Sequence, residues 1–318
     1  MKKGATHPKY FVVQYVSMLW GRIRLAAKVA VGGTAGAMFT QMWYVRHKFR
    51  LAPDACGPIE GVEQPKDGSK NASGSRKHIV FLGDSLVTGV GCSAEASKEH
   101  GHILPRRVAS LVAQQLQAEV SWKLIGETGA DVRTLQSNLL PSLGREVERV
   151  SRENRHVDAV IVMTGLNDIK ACFLWANPGM HPWAFGKMMT TLLCSIYDVA
   201  GARCSLLVTG CPIEAVPRFN ELWPLSSAVH AVTWMWENQK RVAAELANSR
   251  EVGPHASIQF LEAPPSMVRK LLDGADYFAA DGMHPNDAGY TVWGELIAER
   301  LLAEWASETQ VGHRVKGG

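Results

Sequence analysis

From residue 78 onward, short apolar runs alternate with stretches whose apolar positions recur at helical spacing. The runs are Ile79–Leu82, Trp122–Ile125, Val157–Met163, Ser205–Val208 and Ile258–Leu261. Runs this short and this apolar fit strands covered on both faces. Between them, Val108, Leu111, Val112 and Leu116, and later Phe185, Met188, Met189, Leu192 and Ile196, mark single helical faces. A last helix is predicted from about Asn286 to Trp305, with Val292, Trp293, Leu296, Ile297, Leu301 and Leu302 as its buried stripe. Strands that alternate with helices join through right-handed crossovers into a parallel sheet. The pattern therefore predicts an α/β fold: a three-layer α/β/α sandwich around a five-stranded parallel sheet. No internal repeat is visible.

The chain before residue 78 reads differently. Residues 54–77 are rich in Gly, Pro, Ser and Lys, lack either periodicity, and read as a linker. Residues 29–45 are seventeen uncharged positions flanked by Arg22, Arg24 and Lys28 and by Arg46, Lys48 and Arg50. As a helix they would span about 26 Å, slightly short of a hydrocarbon core of about 30 Å. Trp43 and Tyr44 sit where an interfacial aromatic belt would lie. Three readings stay open for residues 1–53: a membrane anchor, a targeting peptide, or an amphipathic helix on an anionic surface. Asn71-Ala72-Ser73 is a glycosylation sequon that matters only on a lumenal or extracellular face. The expected organisation is thus 1–53, a linker at 54–77, one domain at 78–308 and a tail at 309–318.

Composition narrows the function. Of 318 residues, 46% are hydrophobic and 20% charged, an ordinary globular balance. The net charge of +4 is unevenly spread: residues 1–53 carry nine Lys/Arg and no acid, leaving 25 basic and 30 acidic residues for the rest. An acidic body is a poor nucleic-acid surface, so no nucleic-acid partner is expected. The six cysteines form no CxxC pair and read as free, mostly buried thiols.

Four short blocks sit where strands should end. They are Gly83-Asp84-Ser85-Leu86, Gly126-Glu127-Thr128-Gly129-Ala130-Asp131, Thr164-Gly165-Leu166-Asn167-Asp168 and Asp281-Gly282-Met283-His284-Pro285-Asn286. In an open parallel sheet, ligands bind beyond the carboxyl ends of the strands. Acyl transfer needs a hydroxyl nucleophile, a base to take its proton, and an acid to orient that base. Ser85, His284 and Asp281 supply these types, with the acid three residues before the histidine. The tetrahedral oxyanion needs pre-aimed donors, which the Ser85 N–H, a glycine N–H and the Asn167 amide would provide.

These blocks, in this order, resemble the SGNH (GDSL-type) hydrolases over roughly residues 78 to 306. The resemblance implies a flavodoxin-like sheet, Ser85 as nucleophile, His284 as base and Asp281 as its orienting acid. It also implies an oxyanion hole from Ser85, Gly129 and Asn167, with Gly126 competing for the glycine role under another register. Such chemistry requires no metal or organic cofactor. Pro212–Pro224 and the helix after it also resemble a bacterial branch of the family whose members often carry an N-terminal hydrophobic anchor. Membrane association through the N-terminus is therefore the expected localisation, with an organelle-targeted enzyme as the alternative.

Each residue alone has a plainer role. Ser85 would cap a helix, Asn167 would make an Asx turn, and Asn286 would cap the last helix. All of these would have to hold together while imitating one site. His100-Gly101-His102 lacks a third ligand at metal-site spacing and reads as a loop. Trp175, Trp183, Trp223, Trp234 and Trp236 lie in connections that overlook the site. They are candidates for an apolar pocket wall, with core packing favoured for Trp234 and Trp236. The expectation is a serine esterase acting on a small-molecule or lipid ester. Its alternatives are an acyltransferase with the same acyl-enzyme and a membrane-anchored module without catalysis.

Overall fold

The computed structural model describes residues 8–65, 76–174, 179–250, 257–273 and 275–316; the sequon lies outside them. Six strands form one mixed sheet: β1 (Glu60–Glu63), β2 (Lys77–Gly83), β3 (Val120–Gly126), β4 (Ala159–Met163), β5 (Ser205–Thr209) and β6 (Ile258–Leu261). Their spatial order is β1-β3-β2-β4-β5-β6. The five strands expected from the apolar runs are all parallel, and β1 joins them antiparallel to β3.

Counted alone, the parallel strands run 2-1-3-4-5, the flavodoxin-like order, which reverses direction at β2. Period-two alternation divides each strand between two cores. Ile79 and Phe81 of β2, with Ala159, Ile161 and Met163 of β4, face one side. There they meet α3 (Ile103–Leu116), α10 (Pro265–Asp273) and α11 (Asp287–Lys316) through Val108, Val112, Met267, Trp293 and Ile297. Val80, Leu82, Val160 and Val162 face the other side. They pack on α5 (Leu140–Arg152), α7 (Pro182–Ala200) and α9 (Leu225–Ser249) through Leu143, Phe185, Met189, Leu192 and Trp236. Each fully buried aliphatic side chain contributes about 1.5–3 kcal/mol, so the central strands anchor the loops at their ends. The shorter helices α2 (Ala94–His100), α4 (Val132–Thr134), α6 (Leu166–Leu174) and α8 (Pro217–Asn220) belong to those connections.

Two expectations need correction. The stretch read as a linker contributes β1, which pairs Glu60 with Lys123 and Glu63 with Val120. Only Val62 in this strand is apolar, because an edge strand on this rim needs no continuous hydrophobic run. Gly61 lies flat on the Trp122 indole; a Cβ there would come within 2.7 Å of it. The second correction concerns 29–45, which is helical but lies inside a much longer helix, α1 (Pro8–Lys48). Three glycines, two threonines and Gln41 dilute its apolar character. No helix among the described residues is long and apolar enough to cross a membrane. The C-terminal part of α1 meets the body at Gln41, whose amide donates to the Trp223 carbonyl (2.6 Å) and accepts from Leu225 N–H (3.1 Å).

Candidate active site

The end of β2 is set by a close backbone approach. A Cβ on Gly83 would lie 2.1 Å from the Met163 carbonyl oxygen of β4, so no side chain fits there. The next N–H, of Asp84, donates to that carbonyl at 3.1 Å. The chain then turns: Val87 and Thr88 N–H groups donate to the Asp84 carbonyl, and Leu86 N–H donates to its Oδ1 at 3.1 Å. This turn leaves Ser85 half-buried at the carboxyl edge of the sheet, where the strand order reverses.

His284 reaches Ser85 from the loop before α11. Its Nε2 is 2.9 Å from Ser85 Oγ and its Nδ1 is 2.7 Å from Asp281 Oδ2. A proton held on Nδ1 by that carboxylate leaves Nε2 free to accept from the serine hydroxyl. The Asp281 Oδ1 accepts from the N–H groups of Met283 (2.8 Å) and His284 (2.9 Å). Burial opposes the Asp281 charge, yet these bonds and the His284 contact outweigh it and hold the carboxyl below the usual range. Asn286 caps α11 through Ala288 and Gly289 N–H groups, which fixes the loop's exit.

The remaining blocks converge on the same edge. Gly129 has φ +87° and open space around its missing Cβ. Neither its N–H nor that of Ser85 has a backbone acceptor among the described residues. Gly126, by contrast, lies in the β2–β3 ladder opposite Gly83, where a Cβ would meet Val87 at 2.9 Å. The geometry thus gives Gly129 the free donor. The Asn167 Nδ2 donates to the Ala130 carbonyl at 3.0 Å and to Asp84 Oδ2 at 3.3 Å. These two bonds engage both protons of the amide.

Several groups here were given no role by the sequence, although Asp84 and Asp168 lie inside the blocks themselves. Asp168 is fully buried and accepts from Val132 N–H at 3.2 Å, pinning the second block to the third. Burial pushes its carboxyl up to about 7, and pushes that of Asp84 up to about 6. Lys240 of α9 is buried against Glu237 (2.8 Å) and the Thr209 carbonyl (3.3 Å) behind these two acids. Arg218 holds the Asp281 loop by its side-chain Nε and its backbone N–H. From sequence, a lone lysine or arginine on a helix reads as a solvated charge. The Ala52 N–H, which donates to Asp281 Oδ2 at 3.2 Å, is a main-chain contact without any side-chain signal.

The tryptophans do not form a common wall. Trp236 is in the core as expected, but Trp234 is 70% exposed, because it falls on the outer face of α9. Trp183 and Trp223 are exposed too, and Trp175 lies outside the described residues. Beside His284 there is instead a mostly enclosed apolar cavity of about 30 Å³, lined among others by Leu86, Leu166, Phe278, Met283 and Trp293. Among the described residues no three His, Cys, Asp or Glu side chains are placed to hold a metal. His102 instead approaches the Pro58 carbonyl at 3.2 Å, and the His100 side chain lies outside what is described. The six cysteines are free.

Five parallel strands in this order, with Ser85, His284 and Asp281 in line at their carboxyl edge, form the arrangement that the SGNH resemblance implied. The sequence model of the GDSL-like lipase/acylhydrolase family matches residues 81–292, and the chain belongs to that family as an ester hydrolase. Two mutants of Axe2, an acetyl-xylooligosaccharide esterase from Geobacillus stearothermophilus, share the fold with TM-scores of 0.50. They are 17% and 18% identical to this chain, and each match covers 72% of this chain and 96% of theirs. LAE5, described as an α/β hydrolase from the metagenome of Lake Arreo, Spain, matches with TM-score 0.48 and 18% identity over 71% of this chain and 94% of its own. No curated protein matches the chain.

Proposed function

We propose that the protein hydrolyses carboxylic esters of short acyl groups through an acyl-enzyme on Ser85. The observation that carries this reading is the unbroken line Ser85 Oγ–His284–Asp281, at 2.9 and 2.7 Å. Ser85 attacks the ester carbonyl as His284 Nε2 takes its proton. The N–H groups of Ser85 and Gly129 and the Asn167 amide receive the oxyanion. His284 then protonates the leaving alcohol, and afterwards activates water to release the acid.

The acyl preference rests on the cavity beside His284. At about 30 Å³ it has room for a group the size of one or two waters. That size favours acetyl or propionyl over the long chains of lipids. A chain-length series of p-nitrophenyl esters tests it, run on the full chain beside Ser85→Ala. Activity should be greatest on acetate and propionate, fall beyond butyrate, and drop to background in Ser85→Ala. Activity that climbs toward decanoate would sink the short-acyl reading; full activity in Ser85→Ala would sink the nucleophile.

The localisation that fits best is peripheral association with an anionic surface through α1. The helix exposes Trp20, Ile23, Leu25, Val29, Val31, Phe39 and Trp43 among basic residues and no acids. Basic and apolar exposure together support adsorption at a charged lipid interface.

A further inference from the structure

The strongest unassigned cluster lies in residues 52–56, outside the region the family model matches. This strap runs across the edge of the site. Pro53 accepts from Gly91 N–H at 3.1 Å, and Ala55 N–H donates to the Thr88 carbonyl at 3.3 Å. Cys56 N–H donates to Ser97 Oγ at 3.2 Å. The residue on either side of Asp54 is therefore hydrogen-bonded to the body, and the carboxylate of Asp54 is held in place although it faces solvent.

One oxygen of that carboxylate, Oδ1, accepts from Thr88 Oγ1 at 2.9 Å and from Thr128 Oγ1 at 2.5 Å. The two hydroxyls are themselves 2.6 Å apart, and Thr88 Oγ1 also approaches the Ser85 carbonyl at 3.3 Å. Thr88 belongs to the turn that presents Ser85. Thr128 immediately precedes Gly129. The cluster thus ties together the two backbone segments that carry the Ser85 and Gly129 N–H groups.

We infer that Asp54 is a positioning residue, which sets the spacing of the Ser85 and Gly129 N–H donors by clamping Thr88 to Thr128. The inference rests on the oxyanion hole proposed above. A hydroxyl bonded to a carboxylate makes a shorter and stronger bond than one bonded to a neutral acceptor. Without that charge the two hydroxyls keep only their neutral contact with each other, one donating and the other accepting, and the stronger charged anchor from the strap is lost. Oxyanion donors act only when they are aimed before the charge develops, so a small increase in their separation is read in turnover.

The test uses the full chain and the best p-nitrophenyl ester. Asp54→Ala and Thr128→Val should each lower kcat by roughly tenfold to a hundredfold. KM should stay within about twofold, because donors that act on the transition state do not hold the ground state. Thr128→Ser, which keeps the hydroxyl, should restore most of the rate. The double variant Asp54→Ala/Thr128→Val should be no slower than the worse single one, as members of one clamp are not additive. A raised KM with unchanged kcat would overturn the inference and make Asp54 a substrate contact. Unchanged kinetics in Asp54→Ala would overturn it too, as would failure of Thr128→Ser to recover. Failure of the underlying reading looks different: Ser85→Ala would then keep its activity whatever the clamp variants do.

Discussion

At the residue scale, the site is a problem of where charge is tolerated. Asp281 is stabilised as a carboxylate by its neighbours, whereas burial pushes Asp168 up to about 7 and Asp84 up to about 6. An acid whose folded pKa exceeds its unfolded value of about 4 holds an extra proton in the native state across that window. Stability then falls as pH rises from about 4 to about 7. The Asp281 contribution runs the other way and is lost only as pH falls deep into the acid range. Asp168→Asn keeps an oxygen for the Val132 N–H and removes the titration. It should flatten the stability profile between pH 5 and pH 8 and raise stability at pH 8 by about 1–4 kcal/mol. Urea midpoints at the two pH values check this, and an undiminished slope would show that Asp168 titrates as an ordinary acid. The sequence placed all five candidates at the ends of strands; the structure keeps Ser85, Gly129 and Asn167 there but sets Asp281 and His284 in the loop before α11, well past the end of β6, and still brings them to the same edge. They were legible because acyl transfer restricts the residue types and each block is local. The electrostatics of Asp168 and the exposure of Trp234 were not, since both depend on which faces of separate elements meet.

At the element scale, the parallel strands were readable because burial on both faces forces continuous apolar runs. β1 was not, because its antiparallel pairing to β3 draws on backbone hydrogen bonds and on polar contacts such as the ion pair of Glu60 with Lys123 at 2.6 Å. The glycines at strand ends show two different reasons for the same residue. At Gly83 the constraint is space, with the Met163 carbonyl 2.1 Å from any Cβ. At Gly129 it is conformation, with φ +87° and nothing nearby. Gly83→Ala should therefore force β2 and β4 apart and cost several kcal/mol, on the order of a disrupted core. Gly129→Ala should fold, lose about 1–3 kcal/mol to backbone strain, and turn over more slowly as its N–H is re-aimed. Thermal melts beside kcat separate the two. A Gly129→Ala protein with wild-type kcat would remove Gly129 from the oxyanion hole.

At the scale of the whole molecule, most of the basic residues behind the charge asymmetry lie on one helix, α1, joined to the body through Gln41 and the strap that follows. The sequence announced the basic segment but not that the chain after it returns across the loop of Asp281 and His284. Backbone contacts such as Ala52 to Asp281 leave no pattern in side-chain type. Six basic residues, Arg22, Arg24, Lys28, Arg46, Lys48 and Arg50, lie along or just after a helix with no acid. Near an anionic leaflet each contributes about 1 kcal/mol, and salt shortens the reach of that attraction to about 3 Å at 1 M. The full chain should therefore sediment with phosphatidylglycerol vesicles at low salt and be released at high salt. It should bind phosphatidylcholine vesicles much more weakly. Replacing Arg22, Arg24 and Lys28 together by Gln should weaken the binding by about tenfold to a hundredfold, while hydrolysis of a soluble ester stays unchanged. Salt-resistant binding to both vesicle types would instead assign the association to the exposed Trp20, Phe39 and Trp43. Binding to neither would leave α1 without a lipid role and turn attention to a protein surface of opposite charge.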